Sequence, residues 1–203
     1  MILSDLDILR VNAEGGMISP FCEEHLQGAS YDLTMTDTIT AFKEQVRTID
    51  LRNQMEIDRA YSTEKIPAEG YVLQPGEYVL VSLKETLTIP TNMTAHIRPR
   101  TRFTRLGILV SAQHCNPGYS GVLQLGLYNA SPNAVILTPG LKIAQAVFED
   151  LKSTPSPERQ YQNKKDAAYQ DERDFRGAVF DDSEMSPDAR ALYKKILKKM
   201  EEA

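Results

Sequence analysis

Apolar and polar residues alternate over short stretches along most of this chain, and that period of two predicts β-strands. The clearest stretches are Tyr71–Gln74, Tyr78–Leu83 and Glu85–Ile89, and another strand begins at Thr94–Ile97. Prolines and Pro-Gly pairs separate them, as at Pro75-Gly76. Short strands at this spacing indicate an all-β sandwich or barrel rather than alternating strand–helix units.

Strand patterns also lie on both sides of this group. Small residues give way to alternation in Gly28–Thr36, where the carboxylate of Asp32 must either lie at a sheet edge or be paired. Residues Ala144–Leu151 form the last strong strand. The region 43–70 is rich in charged residues, and we expect a strand near Val46–Leu51 within a longer polar insertion.

Two helices are predicted, one at each end of the chain. Ser4 is a capping residue with the carboxylate of Asp7 three residues later, and the first helix should end at Gly15-Gly16. Near the other end, Ser186 precedes a proline, as is typical of a helix start. An apolar stripe follows at helical spacing, formed by Ala189, Leu192, Tyr193, Ile196, Leu197 and Met200. It fits a helix packed on its own or a neighbouring subunit, or else one that binds a protein partner or an anionic surface.

These patterns divide the chain into three parts. We predict a β domain over residues 1–151, including the polar insertion, and a C-terminal helix over residues 186–203. The segment 152–185 is rich in proline, serine and charge, and we expect an arm that is ordered only where it lies on another surface. The predicted fold class is mainly β, with a short N-terminal helix and a C-terminal amphipathic helix.

Composition mainly excludes classes of function. The net charge of −5 over 203 residues argues against non-specific binding of DNA. Cys22 and Cys115 are far apart and in no metal-ligand spacing, so we expect reduced thiols. Three histidines cannot form a histidine-rich zinc site without carboxylates, and we predict no metal site made by protein ligands. Without a signal-peptide pattern or an apolar run of membrane-spanning length, we expect a cytoplasmic protein that does not enter the membrane.

A basic turn with a hydroxyl group lies between two of the predicted strands. It contains Arg98, Arg100, Thr101, Arg102 and Arg105. Arginine offers forked donors that match phosphate oxygens, so this turn is a candidate polyphosphate site. A solvated surface turn is the simpler interpretation, and the spacing alone leaves both open.

Eight motifs follow one another in a specific order: Met1–Asp5, Gly28–Leu33, Leu73–Glu77, Thr88–Pro90, Arg100–Gly107, Asn116–Gly121, Leu137–Gly140 and Gln160–Tyr169. Each is weak alone, but the ordered set resembles the dCTP deaminase branch of the dUTPase superfamily over nearly the whole chain. The resemblance implies a distorted β-barrel of the dUTPase-like, or β-clip, kind. It further implies a homotrimer, with sites between subunits for nucleotides of the dCTP or dUTP class and Mg²⁺ on the bound triphosphate.

The resemblance also assigns binding residues. In the family, an arginine–serine loop and the C-terminal tail hold the phosphates; here Arg100 and Arg105 match the loop arginines and Thr101 the first serine. The implied nucleotide-binding residues are Arg100, Thr101, Arg102, Arg105, Asn116, Tyr119, Gln124, Tyr161, Lys165 and Tyr169. The family's tail lysine aligns with Ala168, so Lys164 or Lys165 is its candidate replacement.

The chain departs from the family where the chemistry takes place. The deaminase branch uses a glutamate as general base on the strand after Gly121, and this chain has Gly126 there. The dUTPase branch uses an aspartate at the position of Asn116, whose amide cannot accept a proton at neutral pH. His114 is a candidate substitute, although a structural histidine is the simpler interpretation. We expect Gly126 to leave room for a bulkier ligand or an inserted side chain.

Two function classes follow from these departures. The chain is either a relative that binds pyrimidine deoxynucleoside triphosphates with impaired or absent deamination, or an active dCTP deaminase or dUTP diphosphatase with a different base. Loss of the general base alone costs on the order of 10²–10⁴-fold in rate. A purely structural trimer is a third interpretation. Nucleotide binding separates the first from the third, and product formation identifies the second.

Overall fold

The computed structural model describes residues 1–43, 48–51, 53–180 and 186–201. The helices are α1 (Asp5–Gly15), α2 (Gln54–Arg59), α3 (Thr101–Arg105) and α4 (Pro187–Glu201). The strands are β1 (Ile18–Ser19), β2 (Leu26–Gln27), β3 (Ser30–Phe42), β4 (Tyr61–Lys65), β5 (Tyr71–Leu73), β6 (Tyr78–Thr88), β7 (Met93–Pro99), β8 (Ile108–Val110), β9 (Gln113–Cys115), β10 (Ser120–Asn129), β11 (Val135–Leu137) and β12 (Lys142–Asp150). Three short 3₁₀ turns lie at Glu23–His25, Pro157–Arg159 and Tyr161–Asn163.

The chain forms two compact units. The first combines Met1–Phe42 with Ser62–Arg176, and the second combines Lys43–Tyr61 with Gly177–Ala203. Residues 152–176, which belong to the segment expected to form an arm, therefore fold with the β domain. The domain boundaries read from the sequence otherwise stay predictions.

One curled sheet dominates the first unit, and the prediction of a mainly β fold is confirmed. Within the described residues ten strands form this sheet, whose central path runs β8-β10-β6-β3-β12-β7-β9. The neighbouring strands along this path are antiparallel, and β5 pairs with β11 in a separate ribbon. Register shifts in β3, β10 and β12 mark bulges, which bend the strands and let the sheet curl.

The core follows from alternation along the long strands. On β6 the inward positions are Val79, Val81, Leu83, Glu85 and Leu87, all buried, and the residues that alternate with them are more exposed. The prediction of two strands, Tyr78–Leu83 and Glu85–Ile89, was wrong, because β6 continues through Lys84 without a break. Continuity places Glu85 on the inward face, in step with the apolar residues.

The N-terminal helix confirms its predicted start and end. The Ser4 hydroxyl accepts a hydrogen bond from the Asp7 amide at 3.3 Å, and the Asp7 carboxylate accepts one from the Ser4 amide at 3.3 Å. Gly16 ends the helix in the left-handed conformation with φ 64°. Glycine suits that conformation because it lacks a Cβ.

The polar region 43–70 contains more regular structure than its composition suggested. It contains α2 and β4, so the expectation of a single strand within an otherwise irregular connection was wrong. Of the strand predicted near Val46–Leu51, Val46 and Arg47 lie outside the described residues, and residues 48–50 are not in a strand. Hydrogen bonds from the Asn53 side chain to Glu56 and from the Gln54 side chain to Asp58 support α2. In the sequence alone, polar residues at this spacing are hard to distinguish from those of a charged loop.

The second unit also contains α4. The Ser186 hydroxyl accepts a hydrogen bond from the Ala189 amide at 3.2 Å, which confirms the predicted cap. Leu192 and Ile196, two members of the apolar stripe, are 61% and 46% exposed. No helix in the described part of the chain is long and apolar enough to cross a membrane.

Candidate functional site

The predicted basic turn is built around α3. Strand β7 ends at Pro99, the Arg100 amide donates to the Ile143 carbonyl at 3.2 Å, and one short helix of five residues follows. Thr101, Arg102 and Arg105 are exposed on this helix. The turn therefore presents a hydroxyl and two guanidinium groups to solvent, which is the donor set that a phosphate chain requires.

Arg100 has a different environment from the other arginines of this turn. Its guanidinium forms an ion pair with the carboxylate of Asp32, whose side chain is 2% exposed. Lys142 Nζ lies 3.8 Å from the same carboxylate oxygen, and Gln27 donates a hydrogen bond to it at 3.2 Å. Of the two interpretations of Asp32, pairing is the one observed. The buried pair connects the base of the cationic turn to strand β3.

A second buried carboxylate lies in the same region of the sheet and was missed at the sequence level. Glu85 accepts a hydrogen bond from the Thr34 amide at 2.9 Å, and its other oxygen lies 3.8 Å from Nδ1 of His25. Burial raises the pKa of Glu85 above its ordinary value, because the charged form loses water that these contacts replace only in part. A charged residue at an inward position of an alternating strand is the sequence pattern that could have revealed it.

The predicted turn at Asn116 is present and is packed against the C-terminal segment. The Asn116 carbonyl accepts from the Tyr119 amide at 3.1 Å. Tyr119 is buried, and its ring lies edge-on to that of Tyr161 with centroids 5.5 Å apart. Burial also raises the pKa of the Tyr119 phenol, so this group remains neutral at physiological pH.

The C-terminal tail continues from the Tyr119–Tyr161 contact. The Tyr161 amide donates to the Pro117 carbonyl at 2.8 Å, and its phenol oxygen accepts from the Tyr169 amide at 3.3 Å. Further along, the Asp171 amide donates to the Ser120 carbonyl at 2.8 Å. Lys165 is exposed. The tail thus runs along β10 of its own chain, and it brings two of the predicted tail residues beside the Asn116 turn.

Gln124 lies on β10 with its side chain only partly paired. Its Oε1 accepts a hydrogen bond from the Ser82 hydroxyl at 2.6 Å. Its Nε2 is buried and, within the described residues, has no hydrogen-bond partner. An amide with one free donor can recognise a carbonyl or ring nitrogen of a ligand, but it cannot take up a proton.

Gly126 lies two residues further along β10, and Tyr78 covers it. A Cβ built on Gly126 would meet the phenol oxygen, Cζ and Cε2 of Tyr78, all within 3.0 Å. Tyr78 is the Cα partner of Tyr128, so its ring reaches Gly126 diagonally across the strand pair. The space left by the missing side chain is filled by an inserted side chain of the protein, one of the two outcomes expected from sequence.

His114 lies on β9, where alternation turns Cys115 inward and His114 outward. Cys115 is buried and burial raises the pKa of its thiol to about 12, whereas His114 is exposed. The contacts of His114 are with Thr94 and His96. Among the described residues, no hydrogen bond joins it to the Asn116 turn or to Gly126, so this chain alone does not make it a replacement base there.

The predicted site residues therefore form separate groups within one chain. The α3 arginines form one, the Asn116 turn with Tyr119, Tyr161 and Tyr169 a second, and Gln124 with Gly126 a third. No hydrogen bond or ion pair of the described residues connects the α3 arginines with Gln124 or Gly126. In the same part of the chain, no set of three or more His, Cys, Asp or Glu side chains is arranged to hold a metal ion.

In a comparison with known families, a model described as dCTP deaminase-like matches residues 2–151 of the chain. The chain belongs to this family. A dCTP deaminase of Natronomonas pharaonis is 38% identical over 178 residues, which cover 84% of this chain and 90% of that protein. A dUMP-forming dCTP deaminase of Hydrogenobaculum sp. is 34% identical over 77% of this chain and 86% of its own length.

A solved structure supports the same fold. The dCTP deaminase of Agrobacterium tumefaciens superposes with a TM-score of 0.59 over 72% of this chain at 23% identity. This chain spans 47% of that structure's length. The predicted membership and the dUTPase-like β fold are confirmed, and the roles of individual site residues stay predictions.

Proposed function

We propose that this member of the dCTP deaminase-like family binds pyrimidine deoxynucleoside triphosphates and deaminates them poorly or not at all. The observation that carries the proposal is the pair Gly126 and Tyr78. The position at which the family resemblance expects a general base has no side chain, and a phenol fills the adjacent volume. A phenol keeps its own proton at neutral pH, so it cannot replace an ionised carboxylate as general base.

The binding half of the proposal rests on cationic and amide groups. Thr101, Arg102 and Arg105 are exposed and face solvent from a short helix, and Arg100 is fixed at its start by the buried carboxylate of Asp32. Gln124 retains a buried donor without a partner. These groups suit a ligand with a polyphosphate at one end and a hydrogen-bonding base at the other.

The separation of these groups within one chain supports sites that form between subunits. The α3 arginines of one subunit would meet the Gln124 and tail residues of another in a homotrimer, the assembly that the resemblance implies. Mg²⁺ would arrive on the triphosphate, since the exposed groups of α3 are cationic and fit phosphate rather than a metal ion. We further propose that the protein acts on the cytoplasmic deoxynucleotide pool.

An active enzyme is the second candidate, and the relatives favour it. The proteins from Natronomonas pharaonis and Hydrogenobaculum sp. are dCTP deaminases, the second dUMP-forming. Neither Asn116 nor Gly126 can act as a general base. Activity in this chain therefore requires another base within hydrogen-bond reach of the water that attacks the nucleotide. His114 can serve only if a neighbouring subunit brings a nucleotide to it.

Calorimetry of the full chain with dCTP, dUTP and dATP, with and without Mg²⁺, tests the binding half. We expect dCTP or dUTP to bind one per chain, dATP to bind at least tenfold more weakly, and a larger assembly than the monomer in sedimentation. No binding of any pyrimidine nucleotide would overturn the proposal and favour a structural trimer.

The matched variants are Arg105→Ala and Arg159→Ala. Arg105 is an exposed arginine of α3, and Arg159 is an exposed arginine outside the predicted site. The first should lower affinity about tenfold or more, since a charged hydrogen bond contributes about 1.5–3 kcal/mol. The second should leave affinity unchanged. Equal losses would show that general positive charge, not the turn, determines binding.

A further inference from the structure

Two of the three histidines meet on neighbouring strands of the sheet. His96 on β7 and His114 on β9 are Cα partners in the antiparallel pairing of these strands. Their Nδ1 atoms lie 3.4 Å apart, and the centres of their rings are 5.0 Å apart. Strand register places the two side chains opposite each other, and in the structure the Nδ1 atom of each ring faces the other.

The outer nitrogens of both rings have neighbours that accept protons. Nε2 of His96 lies 3.8 Å from a carboxylate oxygen of Glu149 on the adjacent strand β12. Nε2 of His114 lies 3.4 Å from the hydroxyl of Thr94, and that hydroxyl donates its proton to the Cys115 carbonyl at 2.8 Å. An ionised carboxylate and a hydroxyl with its proton already used can only accept.

These neighbours favour the tautomer that carries its hydrogen on Nε2 in each neutral ring. In that tautomer both Nδ1 atoms present lone pairs to each other. Two lone pairs at this distance repel unless a positive centre lies between them. The centre is either a single proton, which makes one ring an imidazolium, or a metal ion bound by both rings.

We propose that His96 and His114 bind a divalent transition metal ion through their Nδ1 atoms. Nitrogen ligands lie about 2.0–2.1 Å from tetrahedral zinc, so two of them are about 3.4 Å apart, which agrees with the observed separation. Glu149 and Thr94 lie beside the outer nitrogens, at 3.8 and 3.4 Å, on the side where acceptors support metal-binding histidines. Imidazole selects Zn²⁺, Cu²⁺ or Ni²⁺ rather than Mg²⁺, whose ligands are oxygens.

The site differs from a structural zinc centre in having open positions. Within the described residues no third His, Cys, Asp or Glu completes the set, so water fills the remaining coordination positions. The His96 side chain is 32% exposed and His114 is exposed as well, which gives an ion and its waters access. The prediction of no metal site rested on three histidines being too few for a histidine-rich zinc site without carboxylates; strand pairing brings two of them together near the carboxylate of Glu149.

Calorimetric titration of the full chain, prepared without a polyhistidine tag, with Zn²⁺ tests this directly. We expect one ion per chain, and an affinity at least tenfold lower in His96→Gln and in His114→Gln. The matched control is His25→Gln, which removes the third histidine and should leave Zn²⁺ affinity unchanged. Wild-type Zn²⁺ affinity in both His96→Gln and His114→Gln, or an equal loss of Zn²⁺ affinity in His25→Gln, would overturn the proposal.

Nitrogen-15 NMR of the wild-type imidazoles keeps the test independent of any folding defect in the variants. Zn²⁺ should shift the Nδ1 resonances of His96 and His114 far more than their Nε2 resonances. Glu149→Gln should weaken Zn²⁺ binding about tenfold, in line with other groups that support a metal-binding histidine. An Nδ1–H proton shared between the rings that persists at saturating Zn²⁺ would mean that the proton is the positive centre and the metal proposal fails.

Discussion

The turn at α3 and the strand at Gly126 belong to the same fold, but they have departed from the family pattern to different degrees. At α3 the side chains change while their charge and hydrogen-bonding capacity remain, and Arg100 is held by a buried ion pair with Asp32. At Gly126 the side chain itself is absent, and Tyr78 covers the position. Under the proposed function, the first region keeps groups suited to hold a nucleotide, and the second lacks the general base that the resemblance implies.

In the proposed function, nucleotide binding and deamination chemistry would therefore depend on separate elements, α3 and β10. The Arg100–Asp32 pair connects α3 to β3, whereas Gly126 and Tyr78 lie on β10 and β6. A carboxylate restored at Gly126 would also have to displace the Tyr78 ring. We therefore expect restoration of chemistry to require two changes, and loss of binding to require one.

The largest expected effect is a gain of activity in the double variant Gly126→Glu with Tyr78→Ala. The first change supplies a carboxylate at the position of the family's general base, and the second removes the ring that occupies its space. We expect dCTP deamination to rise about 10²–10⁴-fold over the unmodified chain, the usual contribution of a general base. Product formation resolved by chromatography measures it.

The single variants are the controls for this gain. Gly126→Glu alone keeps Tyr78 in the same volume, and Tyr78→Ala alone supplies no base, so neither should exceed the wild-type rate by more than a few-fold. Activation by Gly126→Glu alone would show that Tyr78 does not obstruct the position.

Arg100→Ala should have the largest effect on stability. It leaves the carboxylate of Asp32 buried, with Lys142 at 3.8 Å and Gln27 as its remaining neighbours. Removing one partner of a buried pair costs about 3 kcal/mol or more. Denaturant titration measures the free energy of unfolding, and calorimetry should show nucleotide binding lost as well.

Arg102→Ala sharpens the same test, because this arginine is exposed on α3. We expect its unfolding free energy to stay within about 0.5 kcal/mol of wild type while nucleotide affinity falls. An equal loss of unfolding free energy in Arg102→Ala and Arg100→Ala would contradict the anchoring role assigned to the Arg100–Asp32 pair.

Gly126→Ala should have a moderate effect. The added methyl group meets Tyr78, whose ring must swing out of its place beside Phe42, and overpacking of this kind costs about 1–3 kcal/mol. Gly28→Ala is the matched control, since nothing lies within 4 Å of a Cβ there. A Tyr78→Ala background should abolish the difference, and persistence of the cost there would contradict the proposed contact.

The smallest effect concerns pH and the buried carboxyl of Glu85, which His25 and Tyr31 face. Its pKa is raised by burial above the ordinary 4.5, so the protonated form stabilises the fold at low pH and that stability is lost as the pH rises through the raised pKa. Relative to Glu85→Gln, the wild type should therefore lose unfolding free energy as the pH increases from about 4 to 8.

Denaturant titrations of both proteins across this pH range measure the difference. The glutamine can still accept from the Thr34 amide, so the hydrogen bond at 2.9 Å is kept and the charge alone is removed. A difference in unfolding free energy that does not change with pH would contradict the assigned cause.

Local sequence patterns were sufficient to predict some parts of this molecule. The Ser4 cap, the Gly16 terminus and the Ser186 cap depend on a few adjacent residues, and the structure confirms each of them. The turn motifs, taken in order, were also sufficient for the family, because their combination is specific even though each is weak. Asp32 was recognisable as a residue that needed a partner, since a carboxylate within a strand is costly without one.

Contacts that depend on strand register could not be predicted from the sequence. Tyr78 reaches Gly126 only because it pairs with Tyr128, two residues away on the partner strand. His96 and His114 meet for the same reason, through a pairing that spans eighteen positions of sequence. A one-residue slip would reverse every side chain, so alternation alone cannot say which residues face each other.

The most direct test of the central claim is a single-turnover experiment with dCTP and Mg²⁺, with the unmodified chain in excess over nucleotide. Bound nucleotide and formation of dUTP or dUMP are followed in the same samples. The account predicts that dCTP is bound and recovered unchanged over many minutes. Conversion of bound dCTP at about 1 s⁻¹ or faster, within the ordinary range of enzymes, would show that this chain has a working base and would contradict it.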